Sequence, residues 1–386
     1  MMLKTTSSKD LGDAFNSLEG SPVQSIGFLP VFSPPTALLY LCVKKRNAMA
    51  TNITTSFNDI YLSAHLPEKV FIGSSASQVE VKVFVDGDEV FKSTFYPYNQ
   101  VCCLRDLRSI VEQGLYDEGL DICTLSIEAK GVGDSTTSVI DDVKVIYSSF
   151  KTKEGSAAYL RNHFLITRKS ALLPRDGGEL TVSNYQESQE FCHLNIYYRF
   201  TNEQGIAREF IYPNQVSGHD LDSMTLSYSG LSYFVKNGIG RNDVVILGAE
   251  YYYGTRQFNV YFTDEKPSDV FLFYNAFGMI EKMYLFGATS IKTEVDRSEA
   301  ICGNTTQFYD ESVKVKHEVE TAPLTYEEAK SMTEMLTSKY VTRRVGNSTF
   351  EKVLITDITS EVTDSNKELT KIKFSWKYAE GTEWNE

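Results

Sequence analysis

From Val79 to Val85 the chain alternates strictly: Val79, Val81, Val83 and Val85 are separated by Glu80, Lys82 and Phe84. A period of two is the signature of a half-buried strand. Asp86-Gly87 follows, then a second apolar pair at Val90-Phe91. Both turn residues tolerate positive φ, so the segment predicts a β-hairpin. Residues 123–127 and 143–147 alternate again, with Gly131-Val132-Gly133-Asp134 between them. Strands at this spacing predict a β-sandwich-like domain over 49–152. One stretch departs from the pattern. Leu104, Leu107, Ile110 and Val111 stand at helical spacing and predict a short helix or turn crossing the sandwich.

The next segment, 153–287, echoes the first. Residues 196–200, a turn at Asn202-Glu203-Gln204-Gly205, and Ile211-Tyr212-Pro213-Asn214-Gln215-Val216 parallel residues 81–85, Asp86-Gly87, and Phe95-Tyr96-Pro97 with Asn99-Gln100-Val101. Each reads as strand, hairpin, strand, then Tyr-Pro and a loop ending Asn-Gln-Val. Proline ends a ladder because it has no N–H to donate. A duplicated sandwich is therefore expected. Further strands are predicted at 244–247, 258–262 and 270–274, the last continuously apolar, as a buried central strand is. In 288–386, Thr325 and Glu328 form a capping box, and Tyr326, Ala329, Met332, Met335, Leu336 and Tyr340 share one helical face. Strands follow at 353–355 and 372–378, where Ile372, Phe374, Trp376 and Tyr378 share a face. The expected fold is mainly β: tandem β-sandwich-like domains followed by a C-terminal α+β domain.

Residues 1–48 differ. Lys4, Lys9, Lys44, Lys45 and Arg46 outnumber Asp10, Asp13 and Glu19, and Pro30, Pro34 and Pro35 interrupt the segment. The apolar run at 37–43 is shorter than the roughly 20 residues that span a bilayer. Its positive charges follow it, the reverse of a secretory signal. The folded protein is expected to begin near Met49. Residues 1–48 are then a loose extension or an upstream mis-start, or alternatively an arm that docks on a partner.

Composition narrows the function. A formal net charge of −13 opposes phosphate neutralisation and argues against nucleic acid as a partner, and no membrane insertion is expected. Cys42, Cys102, Cys103, Cys123, Cys192 and Cys302 have irregular spacings without C-x-x-C, which favours free thiols over a zinc site. His65, His163, His193, His219 and His317 include no helical metal pair. The acid pairs Asp141-Asp142, Asp220 with Asp222, and Glu327-Glu328 are the candidates for paired carboxylates, but strand neighbours point to opposite faces and the last pair opens a helix, where acids favour the dipole. No catalytic residue, metal or cofactor is assigned, and the protein is not expected to be an enzyme. The candidate contact surface is aromatic: Tyr197, Tyr198, Tyr251, Tyr252 and Tyr253. These rings offer a platform for a partner protein or a sugar, or else pack alternately into and out of a strand.

Phe273-Tyr274-Asn275-Ala276-Phe277-Gly278 with Glu281, the helix around 324–340 and the ending Lys373-Phe374-Ser375-Trp376 resemble virion-structural proteins, of tail or baseplate type, of gut Bacteroidales phages and prophages. The resemblance implies a non-enzymatic component that packs against other structural proteins or copies of itself. Its location would be the virion, or the cytoplasm before assembly. The competing expectation is a carbohydrate-binding or adhesin-like surface protein with a glycan as partner.

Overall fold

The computed structural model describes residues 50–118, 121–186, 191–203, 207–214, 221–346, 349–359 and 369–379. The expectations for residues 1–48 and for His219 and Asp220 lie outside them. The described residues are mainly β and fall into three successive units.

The first unit contains β1 (Asn52–Ile53), β2 (Ile60–Leu62), β3 (Lys69–Gly73), β4 (Val79–Val85), β5 (Asp88–Phe95), β6 (Val101–Arg105), α1 (Leu107–Glu118), β7 (Ile122–Gly131) and β8 (Ser138–Ile146). One sheet runs β1-β3-β6 and the other β2-β8-β7-β4-β5. Only the β2–β8 pairing is parallel. The inward positions Val79, Val81, Val83 and Val85 are fully buried against Val70, Ile72 and Leu104 of the facing sheet. Asp86 (φ 49°) and Gly87 (φ 94°) both take positive φ, the primed turn that matches strand twist. Asn99 and Gln100 make the same kind of turn, closed by Tyr98–Val101 backbone bonds, so the Tyr-Pro-x-Asn-Gln-Val segment carries the chain from one sheet to the other. Leu104 belongs to β6. The helix begins at Leu107 and buries Leu107, Val111 and Leu115, one side of three turns, in the sandwich.

The second unit contains α2 (Ser156–Asn162), β9 (Ser170–Pro174), β10 (Glu179–Tyr185), β11 (Cys192–Phe200), β12 (Arg208–Asn214), β13 (Leu221–Ser227), α3 (Tyr228–Ile239), β14 (Val244–Tyr253) and β15 (Arg256–Thr263). Its sheets run β10-β13 and β12-β11-β14-β15-β9, with β9 parallel to β15. Strand order, strand direction and the crossing helix repeat the first unit, except that β1 has no counterpart. This is the immunoglobulin-like arrangement with a crossing helix added. The expected duplication is thus present in topology. Each crossing helix also carries a glycine where it meets the outermost strand of the larger sheet. A Cβ on Gly114 would lie 2.9 Å from Val85 Cγ2 and 3.1 Å from Val90 Cγ1, and one on Gly238 would lie 2.2 Å from Phe210 Cζ.

The third unit is a seven-stranded antiparallel sheet. Its elements are β16 (Asp269–Tyr274), β17 (Ile280–Leu285), β18 (Gly287–Cys302), β19 (Thr305–Thr321), α4 (Tyr326–Thr337), β20 (Val341–Arg344), β21 (Phe350–Thr359) and β22 (Lys373–Tyr378). The order is β17-β16-β20-β21-β22-β19-β18. The boundary expected at 287/288 therefore moves: β16 and β17 belong to this sheet, because β16 pairs with β20 some seventy residues later. β16 reads as buried on both sides for a physical reason. Phe271 and Phe273 face α4, while Val270 enters the core of the second sandwich. The capping box on α4 forms as expected, and Ala329, Met332, Met335 and Leu336 are buried. Tyr340 lies beyond the helix and is exposed. Phe374, Trp376 and Tyr378 share the buried face, with Ile372 just ahead of β22.

The three units meet at one cluster. Leu62 and Ile146 of the first, Leu165 and Tyr185 of the second, and Phe277 from the β16–β17 loop pack together. The loop is shaped by Asn275, whose Oδ1 accepts from Phe277 N (2.9 Å) and Met279 N (3.1 Å). Its Nδ2 donates to Leu165 O at 3.0 Å. Beneath it Arg168 and Glu281 form a buried ion pair at 2.7 Å. Residues 273–278 and Glu281, singled out in the sequence, therefore stand at the junction of the three units.

Candidate interaction surfaces

The tyrosines singled out in the sequence divide by strand parity. Tyr251 and Tyr253 of β14 and Tyr198 of β11 point into the core of the second sandwich and are buried. Only Tyr197 and Tyr252 face outward. The cause is a bulge. Opposite Tyr197 and Tyr198, β14 supplies Gly248 and Ile246, so Leu247 is an extra residue. One extra residue exchanges the faces. Before it Val244 and Ile246 point inward; after it Ala249, Tyr251 and Tyr253 do.

The outer face so created has ordered rows. Glu209, Tyr197, Gly248, Tyr261 and Leu172 lie side by side across five strands. In the next row Ile211, Asn195, Glu250, Asn259 and Ser170 align across five. His193 and Tyr252 follow, their rings stacked at 4.8 Å. Tyr197 and Tyr252 both donate their hydroxyls to Glu250 Oε2, at 3.0 Å and 2.9 Å. Burial, then the bond to Glu250, push the Tyr197 hydroxyl up to about 12. The phenols therefore stay protonated donors and hold the carboxylate in one orientation. His193, Asn195, Asn259 and Tyr261 escape a sequence reading because their outward direction depends on register.

A second surface has no counterpart in the sequence expectations. β18 and β19 form a ribbon of 16 and 17 residues. Only residues 317–320 of it pair with β22. About ten further residue pairs extend past the sheet, roughly 35 Å at the usual rise per residue. The ribbon closes on a two-residue turn with Gly303 at φ 66°, the residue type a primed turn needs first. It is amphipathic. One face carries Ile291, Val295, Val313, Val315, Phe308 and Ile301, and the other carries Lys292, Glu294, Asp296, Lys314 and Asp310. The apolar face continues the one that, at the base, buries His317 and Val319 in the sheet's core. Along the ribbon it meets solvent, with Ile301 80% and Phe308 57% exposed. A bulge between Ser298 and Glu299 keeps Phe308 on this face, where the Arg297 guanidinium lies 5.1 Å from its ring centre. Among the described residues the outer edge of β18 has no strand beside it.

At the root of the arm His317 stacks on Trp376 at 3.8 Å, and Arg343 lies over the same indole at 4.7 Å. Arg343 is also ion-paired to Asp269 at 2.7 Å. These contacts fix where the arm leaves the sheet.

The remaining candidates stay apart. Asp141 accepts from Ser126 Oγ on the exposed side of β8, and that bond holds its carboxyl below the usual range. Glu328 closes the α4 capping box. His65 accepts from Thr152 N at 2.7 Å, and His163 pairs with Glu154 at 2.8 Å. Among the described residues no three His, Cys, Asp or Glu side chains come together in a way that would hold a metal ion. Cys102, Cys123 and Cys192 are buried free thiols, whereas Cys302 stands exposed at the arm's tip. Among the described residues no helix is long and apolar enough to cross a membrane.

No family model matches the chain, and no curated protein matches it. Among solved structures the chain is similar to the full extracellular region of plexin A4, at 10% identity and a TM-score of 0.19, over 82% of this chain and 35% of that one. It is also similar to CBD12 from CALX1.2, at 9% identity and a TM-score of 0.16, over 53% of this chain and 79% of that one. The chain thus spans about a third of the plexin region. Neither TM-score is high enough to bear on function.

Proposed function

We propose that this chain is a non-enzymatic assembly protein, a building block of a larger protein structure such as a phage tail or baseplate, and that the β18–β19 arm is its docking element. The observation that carries the reading is the arm's unpartnered apolar face. An isolated two-stranded ribbon is marginal in water. Here one leaves a well-packed sheet and holds an apolar stripe, interrupted by Arg297 and Glu299, in solvent. Long, flat, apolar edges are avoided in monomers because they recruit other strands. Such a stripe is accounted for when a second protein surface covers it. Copies of this chain are the partner the reading commits to, and the resemblance to phage structural proteins supplies the setting.

The test is light scattering across a concentration series, on the full chain and on a variant cut back between Glu294 and Lys314 and closed by Gly-Asn. The expected result is a defined oligomer in the full chain and a monomer in the trimmed one. A monomer at every concentration, or an oligomer indifferent to trimming, overturns the reading.

A further inference from the structure

We infer that the outer face of the second sandwich is a binding site for a neutral saccharide, centred on Glu250 and the exposed ring of Tyr261. This goes beyond the assembly reading and rests on a different part of the molecule. The argument starts at Gly248. A Cβ there would stand 2.8 Å from Val260 O, a backbone atom that cannot yield, so the bulge requires glycine. With no side chain at Gly248, the Tyr261 ring lies close over it, Cδ1 3.4 Å from where a Cβ would stand. The ring is nevertheless 52% exposed. It forms an apolar shelf beside Leu172, next to the polar row of Asn195, Glu250 and Asn259.

Beside the shelf stands the Glu250 carboxylate. Its Oε2 is taken by two phenol hydroxyls, and its Oε1 accepts no hydrogen bond from a described residue. Asn195 and Asn259 flank it in the same row. Asn195 Oδ1 and the neighbouring His193 Nδ1 are shielded from solvent and make no hydrogen bond. Unsatisfied acceptors of this kind are costly unless a donor reaches them. The face thus presents fixed acceptors and amides around an aromatic surface, and its three rows hold no lysine or arginine.

That chemistry selects the ligand. A pyranose has one face of C–H groups that packs on an aromatic ring and an edge of hydroxyls that donate to carboxylate and amide oxygens. A carboxylate acceptor gives the stronger, charge-assisted bond. An acidic sugar would be repelled by Glu250 with no cation to offset it. A neutral saccharide offers hydroxyl donors to Glu250 and a C–H face to Tyr261, whereas an anion would meet that carboxylate with no lysine or arginine in the three rows.

The probe is an immobilised array of neutral oligosaccharides of glucose, galactose, mannose and N-acetylglucosamine, with sialylated counterparts, followed by calorimetric titration of the best neutral binder. Binding to at least one neutral oligosaccharide is expected. Tyr261→Ala and Glu250→Gln should each weaken it by about tenfold, the loss of one good hydrogen bond or stacking contact. Tyr233→Ala, an exposed ring on α3, should leave it unchanged, as should trimming the arm, which separates this result from the assembly test. Unaltered thermal unfolding shows that the variants fold. Retention of no neutral probe, retention of sialylated probes alone, or affinity indifferent to Tyr261 and Glu250 overturns the inference.

Discussion

Tyr251 and Tyr252 are neighbours of identical chemistry with opposite fates. Tyr251 is buried and stacks with Phe164 at 5.3 Å, whereas Tyr252 lies on the outer face. Tyr251→Ala is expected to cost about 3–5 kcal/mol, as truncation of a buried aromatic does, and Tyr252→Ala no more than about 1 kcal/mol. Denaturant midpoints compare the two directly. Equal losses would mean that the bulge at Leu247 does not set the parity of β14. The sequence shows three tyrosines in a row but not which of them is exposed, because parity is a property of the pairing. Without the extra residue Tyr252 and Glu250 would point inward. The Val79–Val85 run is legible for the opposite reason: the extra residue in its pairing with β5, Val90, lies on β5, so the alternation of β4 itself and its buried face coincide.

Among elements, those read correctly carry their own local signals. The α4 capping box and the Asp86-Gly87 hairpin are fixed by neighbours within a few residues. The arm carries no such signal. Ile291 and Val295 alternate with polar residues, but Arg297 and Glu299 interrupt the stripe, and both faces of the ribbon are exposed along most of its length. A strand that buries nothing leaves little hydrophobic periodicity to detect. The crossing helices show a subtler element-level device, since their glycines look like defects in a helix. Alanine is normally favoured over glycine there by about 1 kcal/mol. At Gly238 the gain is outweighed, because the added methyl would meet the Phe210 ring at 2.2 Å. Gly238→Ala should therefore destabilise the protein by about 1–3 kcal/mol, the range for overpacking. Chemical denaturation measures it. A stabilised variant would show that the Phe210 ring moves aside freely.

At the scale of the whole molecule, domain limits were the least legible feature. β16 follows β15 closely in sequence yet pairs across some seventy residues with β20, and no local composition marks the change of sheet. What joins the units is polar as well as apolar. Arg168 leads into β9 of the second sandwich, and Glu281 sits in β17 of the third unit. Both are almost fully shielded from water. Burial holds the Glu281 carboxyl above its usual range, while Arg168 pulls it back down. Removing the guanidinium alone leaves a buried charge without its counter-ion, which costs about 3–5 kcal/mol. Arg168→Met should show that loss at neutral pH, together with a third unit that unfolds apart from the two sandwiches in calorimetry. The sign with pH follows from linkage. In the variant the folded carboxyl lies still further above its unfolded value, so the folded state binds the proton more tightly than the unfolded state. Stability is then fully present below the unfolded value of 4.5 and falls as pH rises through the folded one. The penalty of Arg168→Met should accordingly shrink on acidification. Adding Glu281→Gln should recover part of it and remove the pH dependence. A loss that is small, or the same at every pH, would mean that apolar contacts around Phe277 hold the junction without the ion pair.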